Sequence, residues 1–174
     1  MGEQRILELG DPLLWQRSVP ARDPHDSDVR RLVSDLSDTL AAFRLRTGFG
    51  RAIAAPQIGS LQRVLFVRMP SGAPEGPLIN PAILARSDDE FELWDDCFSF
   101  PALMVRVRRA VTVRIEFVDE HGVRRTLDAS GALSELLQHE IDHLDGVLAV
   151  DRAVSVRDFM TRSEWERQRN RSNG

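Results

Sequence analysis

The segment His139-Glu140-Ile141-Asp142-His143 constrains this chain more than any other stretch. On a helix, positions i and i+4 lie on one face about one turn apart, so the two imidazoles can reach one metal ion. A wheel drawn at roughly 100° per residue places Leu133, Leu136, Leu137, Ile141 and Leu144 on an apolar arc. His139 and His143 sit together at its edge. Ser134, Gln138, Asp142 and Asp145 are expected to face away, and the same wheel turns Glu135 toward solvent. Glu140 falls inside the arc, where an unpaired carboxylate is costly. A metal ion carrying a water beside it supplies both a partner and a reason. The chain has four His in all, two of them at this spacing around a Glu on the buried face, which favours a metal site over a surface helix.

Such a site needs a third ligand, because a catalytic zinc-like centre uses three protein donors and leaves one position open. Two candidates compete. Glu164 lies about twenty residues beyond His143, as the ligand of many zinc proteases does. Cys97 would bind as a thiolate from a loop, although a lone Cys is more commonly a small core residue. It is the only Cys, so no intrachain disulfide can form. The net charge of −4 argues against a protein whose main task is to grip phosphate backbones. Every fixed cation among the 23 is Arg. The opening MGEQRILELG lacks the basic and apolar stretches of a secretory signal, and no apolar run nears the ~20 residues of a membrane span. A cytoplasmic protein that neither enters a membrane nor reads nucleic-acid sequence is expected.

The 174 residues suit one domain, 1–174. Residues 1–24 read as an irregular opening broken by Gly10-Asp11-Pro12, Pro20 and Pro24. An amphipathic helix follows, capped by Asp26 or Ser27, with Val29, Leu32, Val33, Leu36, Leu40 and Phe43 on one face and Gly48 and Gly50 at its end. Strands are expected at 64–67, 78–84, 90–94 and, by strict alternation, 111–118. Asp119-Glu120-His121-Gly122 reads as a hairpin turn into a strand at 123–127. Helices should cover about 131–144 and, Arg-rich, about 155–169, with a frayed tail at 170–174. The fold class is α+β, with mostly antiparallel strands around the central His-Glu-x-x-His helix.

Three segments resemble one family. Gly50-Arg51-Ala52-Ile53-Ala54-Ala55-Pro56-Gln57-Ile58-Gly59 is similar to the Gly-x-Gly-x-Ala-Ala-x-Gln motif of peptide deformylases. Asp95-Asp96-Cys97-Phe98-Ser99-Phe100-Pro101 resembles their Glu-Gly-Cys-Leu-Ser motif, and Gln138 to Gly146 their Gln-His-Glu-x-Asp-His-Leu-x-Gly motif. The order and the intervals match, and Leu9-Gly10-Asp11-Pro12-Leu13-Leu14 is similar to the usual start. The resemblance implies that Cys97, His139 and His143 hold one divalent ion, with Glu164 uninvolved. It implies Fe²⁺, with Zn²⁺, Ni²⁺ or Co²⁺ as alternatives that the same donors accommodate. Glu140 is then the general acid and base, and the Gln57 amide with the Phe98 backbone N–H forms the oxyanion hole. The implied activity is removal of the N-formyl group from the N-terminal methionine of newly synthesised polypeptides, with formate as product. The implied partner is an N-formylated peptide or nascent chain, which would place the enzyme near the ribosome.

The cleft departs from the family pattern. Ala52 replaces the second Gly of the first motif, and Asp95-Asp96 replaces Glu-Gly, so Asp96 brings charge toward the ligands and Ala52 can obstruct close approach or a positive φ. These positions line the groove where family members pair with the substrate backbone as an added strand. Gly50, Arg51, Ala52, Asp96, Glu135 and Leu136 are the candidate substrate-binding residues. Arg51 and Glu135 stand where the family has apolar residues that enclose the methionine side chain. They could form a salt bridge across the pocket mouth or read a polar substrate group; the alternative is that both point into water. Turnover of formyl-Met peptides is accordingly expected to be weaker than usual. Arg106, Arg108, Arg109, Arg114, Arg124 and Arg125 could make a ribosome-facing patch, but a solvated strand face balanced by acids is the simpler reading. Three other functions remain open: a deformylase of another N-formyl compound, a zinc protease using Glu164, and a non-catalytic peptide-binding relative.

Overall fold

A computed structural model describes residues 2–69 and 74–172. Helix α1 (Ser27–Thr47) begins after Asp26 and stops at Gly48, whose left-handed φ of 77° ends the helix by returning its N–H to the Arg44 carbonyl. The strands are β1 (Ala52–Ala54), β2 (Val64–Arg68), β3 (Glu75–Arg86), β4 (Glu90–Asp96), β5 (Leu103–Ala110), β6 (Thr112–Val118), β7 (Arg124–Ser130) and β8 (Phe159–Thr161). Helix α2 (Gly131–Leu144) follows β7, and α3 (Arg162–Ser172) closes the described chain. One sheet has the order β1-β2-β3-β6-β7 and the other β4-β5-β8, with every strand pair antiparallel.

Strand β2 explains how the layers stack. Its alternate residues Val64 and Phe66 pack with Leu32, Leu36 and Leu40 of α1, whereas Leu65 and Val67 pack with Leu136, Leu137, Ile141 and Leu144 of α2. A strand buried on both faces needs a continuous apolar run, which is what Val64–Val67 is. A third cluster, with Leu14, Val105, Val107 and Leu148, joins the smaller sheet to the opening segment and packs around Cys97. Helix α2 therefore lies between the sheets. Among the described residues, no helix is long and apolar enough to cross a membrane.

Several expectations are corrected. Ser134, Glu135, Gln138 and Asp142 are buried, not solvent-facing, because α2 is covered on more than its apolar arc. Each finds a partner: Ser134 Oγ and Gln138 Nε2 donate to the Ala110 carbonyl, and Gln138 Oε1 accepts from the Ala110 N–H. The Arg-rich helix begins at Arg162 rather than near 155. Residues before it form a turn in which Asp158 accepts from Ser155 N–H and from Arg106, and then β8 pairs with β5. Within the expected frayed tail, 170–172 belong to α3, and 173–174 lie outside the described residues. Strands β1, β5 and β8 add to those read from the sequence. Of the Arg cluster, Arg106, Arg108, Arg114, Arg124 and Arg125 each pair with a carboxylate, but Arg109 is buried at 3% exposure.

Candidate metal centre

Three elements deliver the site. Helix α2 supplies His139, Glu140 and His143, the turn after β4 supplies Cys97, and the short 3-10 turn Ala55–Ile58 after β1 supplies Gln57. The opening segment ties the two turns together, since Leu7 N–H donates to the Gln57 carbonyl and Leu9 N–H to the Ser99 carbonyl, both at 2.8 Å. Gly50 sits close by with a φ of 130°, and a Cβ there would come within 2.8 Å of the Phe98 ring, so this position needs glycine. Phe98 in turn stacks on Phe43 with ring centroids 3.9 Å apart.

The ligand-type atoms of Cys97, His139 and His143 lie within 4.8 Å of one another, and all three residues are buried. Cys97 Sγ is 3.3 Å from His143 Nε2, which is 3.2 Å from His139 Nε2. Glu164 is not among them; it lies on α3, paired with Arg167 at 2.7 Å. Glu140 is buried beside the cluster, and its Oε2 has no hydrogen-bond partner among the described residues. Such an orphan is costly unless a ligand or water completes it. Burial, partly offset by His139 and Arg51, pushes the Glu140 carboxyl up to about 7.

Behind His139 lies an ionic network that the sequence did not single out as one unit. His139 Nδ1 is 2.9 Å from Asp95 Oδ2, and Arg109 donates to Asp95 at 3.1 Å and also to Asp142. Arg152 donates to the same Asp142 at 2.5 Å. Burial opposes ionisation of Asp95, but His139 and Arg109 overcome this and hold it at about 2. Burial likewise disfavours charge on His139, yet Asp95 reverses the balance and raises it well above the usual imidazole value. His143 goes well down, through burial and the charge on His139. A divalent ion held by one thiolate and two imidazoles fits the donor set and the orphaned Glu140 oxygen. The missed signal was the alternation Val105, Val107, Arg109 along β5, which points Arg109 inward with the two valines.

Gln57 is buried, and its Oε1 accepts from the Ala54 N–H at 2.9 Å. This anchor turns Nε2 toward the cluster, 3.4 Å from Cys97 Sγ. The Phe98 N–H meets no acceptor among the described residues. A cavity of about 470 Å³ opens onto the site, lined in part by Gly50, Arg51, Ala52, Glu135 and Leu136. Ala52 lies in β1 opposite Val67 and is not among the residues of positive φ, so the change from glycine leaves the backbone unstrained. Asp96 is drawn off by Arg162, which donates to it at 2.6 Å and covers the Phe49 ring at 4.6 Å. Glu135 does not face water: it pairs with Arg51 at 2.5 Å.

Residues 3–159 match the sequence model of the family described as polypeptide deformylase. The chain is 40% identical over 159 residues to a peptide deformylase of Thermomicrobium roseum, covering 87% of this chain and 86% of that one. It is 35% identical to a peptide deformylase of Roseiflexus castenholzii, covering 97% and 96%. The crystal structure of a peptide deformylase from Legionella pneumophila superposes with a TM-score of 0.81 at 29% identity, covering 98% of this chain and 99% of that one. A peptide deformylase from Synechococcus elongatus, solved in complex with actinonin, gives a TM-score of 0.79 at 30% identity, with 88% and 80% covered. Matching motifs, matching length and a matching fold lead to one conclusion: the chain belongs to the peptide deformylase family.

Proposed function

We propose that this chain is a metal-dependent hydrolase that removes the N-formyl group from the N-terminal methionine of newly synthesised polypeptides, releasing formate and a free amine. The carrying observation is the convergence of Cys97, His139 and His143 beside the unpartnered Glu140 oxygen, at the end of a cavity. When bound, a divalent ion supplies Lewis acidity there, acidifying a water and polarising a carbonyl. Cys97, His139 and His143 would hold it, with Asp95 fixing the His139 ring from behind.

Glu140 takes the proton of the attacking water and returns one to the amine nitrogen as the carbon–nitrogen bond breaks. Its raised carboxyl suits both halves of that exchange. As negative charge grows on the formyl oxygen, the Gln57 Nε2 and the Phe98 N–H donate to it. The Ala54 N–H already fixes the Oε1 end of that amide, so Nε2 stays turned toward the cluster. The cavity leads the peptide to this point. Fe²⁺ is the ion of this reading, with Zn²⁺, Ni²⁺ or Co²⁺ able to replace it at an N- and S-donor site. The setting of this reading is cytoplasmic, where chains carrying a formyl start are made.

The test is formate release from formyl-Met peptides by protein loaded anaerobically with Fe²⁺, with metal analysis alongside. One ion per chain and equal yields of formate and free amine are expected. A loaded sample that releases no formate from a broad panel of formyl peptides overturns the proposal.

A further inference from the structure

The cavity wall next to the metal centre carries a charged pair where an apolar substrate group would need an apolar surface. Glu135 is one helical turn before His139, so both project from the same side of α2 into the cavity. A substituent on the carbon adjoining the reacting amide nitrogen lies within that one-turn distance of the reaction centre. This wall is within its reach. Arg51, just ahead of β1, spans the wall, donating through Nη2 to Glu135 Oε1 at 2.5 Å and through Nη1 to the Ala132 carbonyl at 3.2 Å.

The pair leaves hydrogen-bonding capacity unused. The Arg51 side chain is 32% exposed, and its remaining N–H groups have no acceptor among the described residues. Glu135 Oε2 accepts no hydrogen bond either, and Glu135 lines the cavity. The wall thus presents donors and an acceptor side by side. A thioether or alkyl group laid against it strips water from the exposed part of Arg51 and returns nothing to either ion. A primary carboxamide has the complementary pattern: its oxygen can accept from Arg51 while its NH₂ donates to Glu135.

We propose that the Arg51–Glu135 pair makes this site accept, and favour over methionine, N-formyl peptides whose first side chain ends in a carboxamide. The inference rests on the deformylase reading and adds a second substrate class to it. Arg51 and Glu135 act here as specificity-determining residues, outside the chemical step.

Four peptides decide it, formyl-Met-Ala-Ala, formyl-Nle-Ala-Ala, formyl-Gln-Ala-Ala and formyl-Glu-Ala-Ala, assayed for formate with the metal-loaded full chain. The kcat/KM of the Gln peptide should exceed those of the Met and Nle peptides; a lower value overturns the inference. In the double variant Arg51→Leu, Glu135→Leu the Gln-to-Met ratio should fall by at least about tenfold, since an apolar wall discriminates the other way. An unchanged ratio overturns it. Should that variant not fold, Arg51→Met alone should lower the ratio, and no change again counts against the inference. A second readout avoids turnover: Trp94 and Trp165 line the cavity, so their fluorescence can follow titration with N-acetyl-Gln-Ala-Ala and N-acetyl-Met-Ala-Ala. Tighter binding of the Gln peptide is expected. No formate from any peptide would sink the deformylase reading, while the acetyl-peptide ranking would still judge the wall.

Discussion

Two arginine–carboxylate systems flank helix α2, and they differ in what surrounds them. Behind the candidate centre, Arg109 lies between Asp95 and Asp142 with all three side chains at most 6% exposed. On the cavity side, Arg51 pairs with Glu135 but keeps a third of its side chain exposed. The chemistry is the same. The sealed system has its charges matched within the chain, down to the His139 ring, so it can only hold geometry. The open one has donors and an acceptor to spare, which is what the proposed reading of a carboxamide uses. Burial decides whether an ion pair becomes scaffold or reading surface.

The comparison can be tested from its centre outward. Glu140, buried between the two systems, should show the largest effect: Glu140→Gln is expected to lower kcat by about 10²–10⁴-fold while metal content stays near one ion per chain. Loss of the metal together with activity would mean that Glu140 supports binding instead. Next comes the sealed side. Arg109→Met removes the cation shared by Asp95 and Asp142, leaving them His139 and Arg152 alone, and denaturant unfolding should report a loss of about 3–5 kcal/mol. Asp95→Asn leaves that packing but weakens the support of His139, so competitive chelation should show metal affinity reduced by about 10–100-fold.

The open side should behave differently. Replacing both Arg51 and Glu135 by Leu removes two charges together and leaves none stranded. Thermal unfolding is expected to change by less than about 1 kcal/mol, or to favour the variant; a loss like that of Arg109→Met would make the pair scaffold after all. The smallest effect lies away from both systems. Hydrogen bonding from Arg106 holds the Asp158 carboxyl below the ordinary carboxylate range. The stability it contributes is present above that range and is lost as pH falls through the lowered value. Asp158→Asn should therefore flatten the fall of Tm between about pH 5 and about pH 3 relative to the parent chain, and an unchanged slope would remove this pair from the account.

Much of the architecture was legible in the sequence because single periods dominate it. Helix α1 has one apolar face and a glycine stop, and β6 alternates without interruption. The two His of α2 and Cys97 could be named for the same reason: their chemistry is rare in this chain. Strand β5 was harder to read. Its outward Arg106 and Arg108 and inward Arg109 look alike as letters, so the alternation of Val105 and Val107 was masked. The wheel also misled on α2, because it assumes one face toward water.

The sequence by itself determined the inventory: one thiol, two imidazoles a helical turn apart, a carboxylate between them and a motif order shared with one family. The tertiary structure decided which charges those groups meet. Glu135 and Asp142 sit on a helix enclosed by two sheets, so each is buried against an arginine from a loop or strand far away in the chain. Local spacing is set by bonds along the chain, but the partner of a buried charge depends on which distant segment folding brings alongside it.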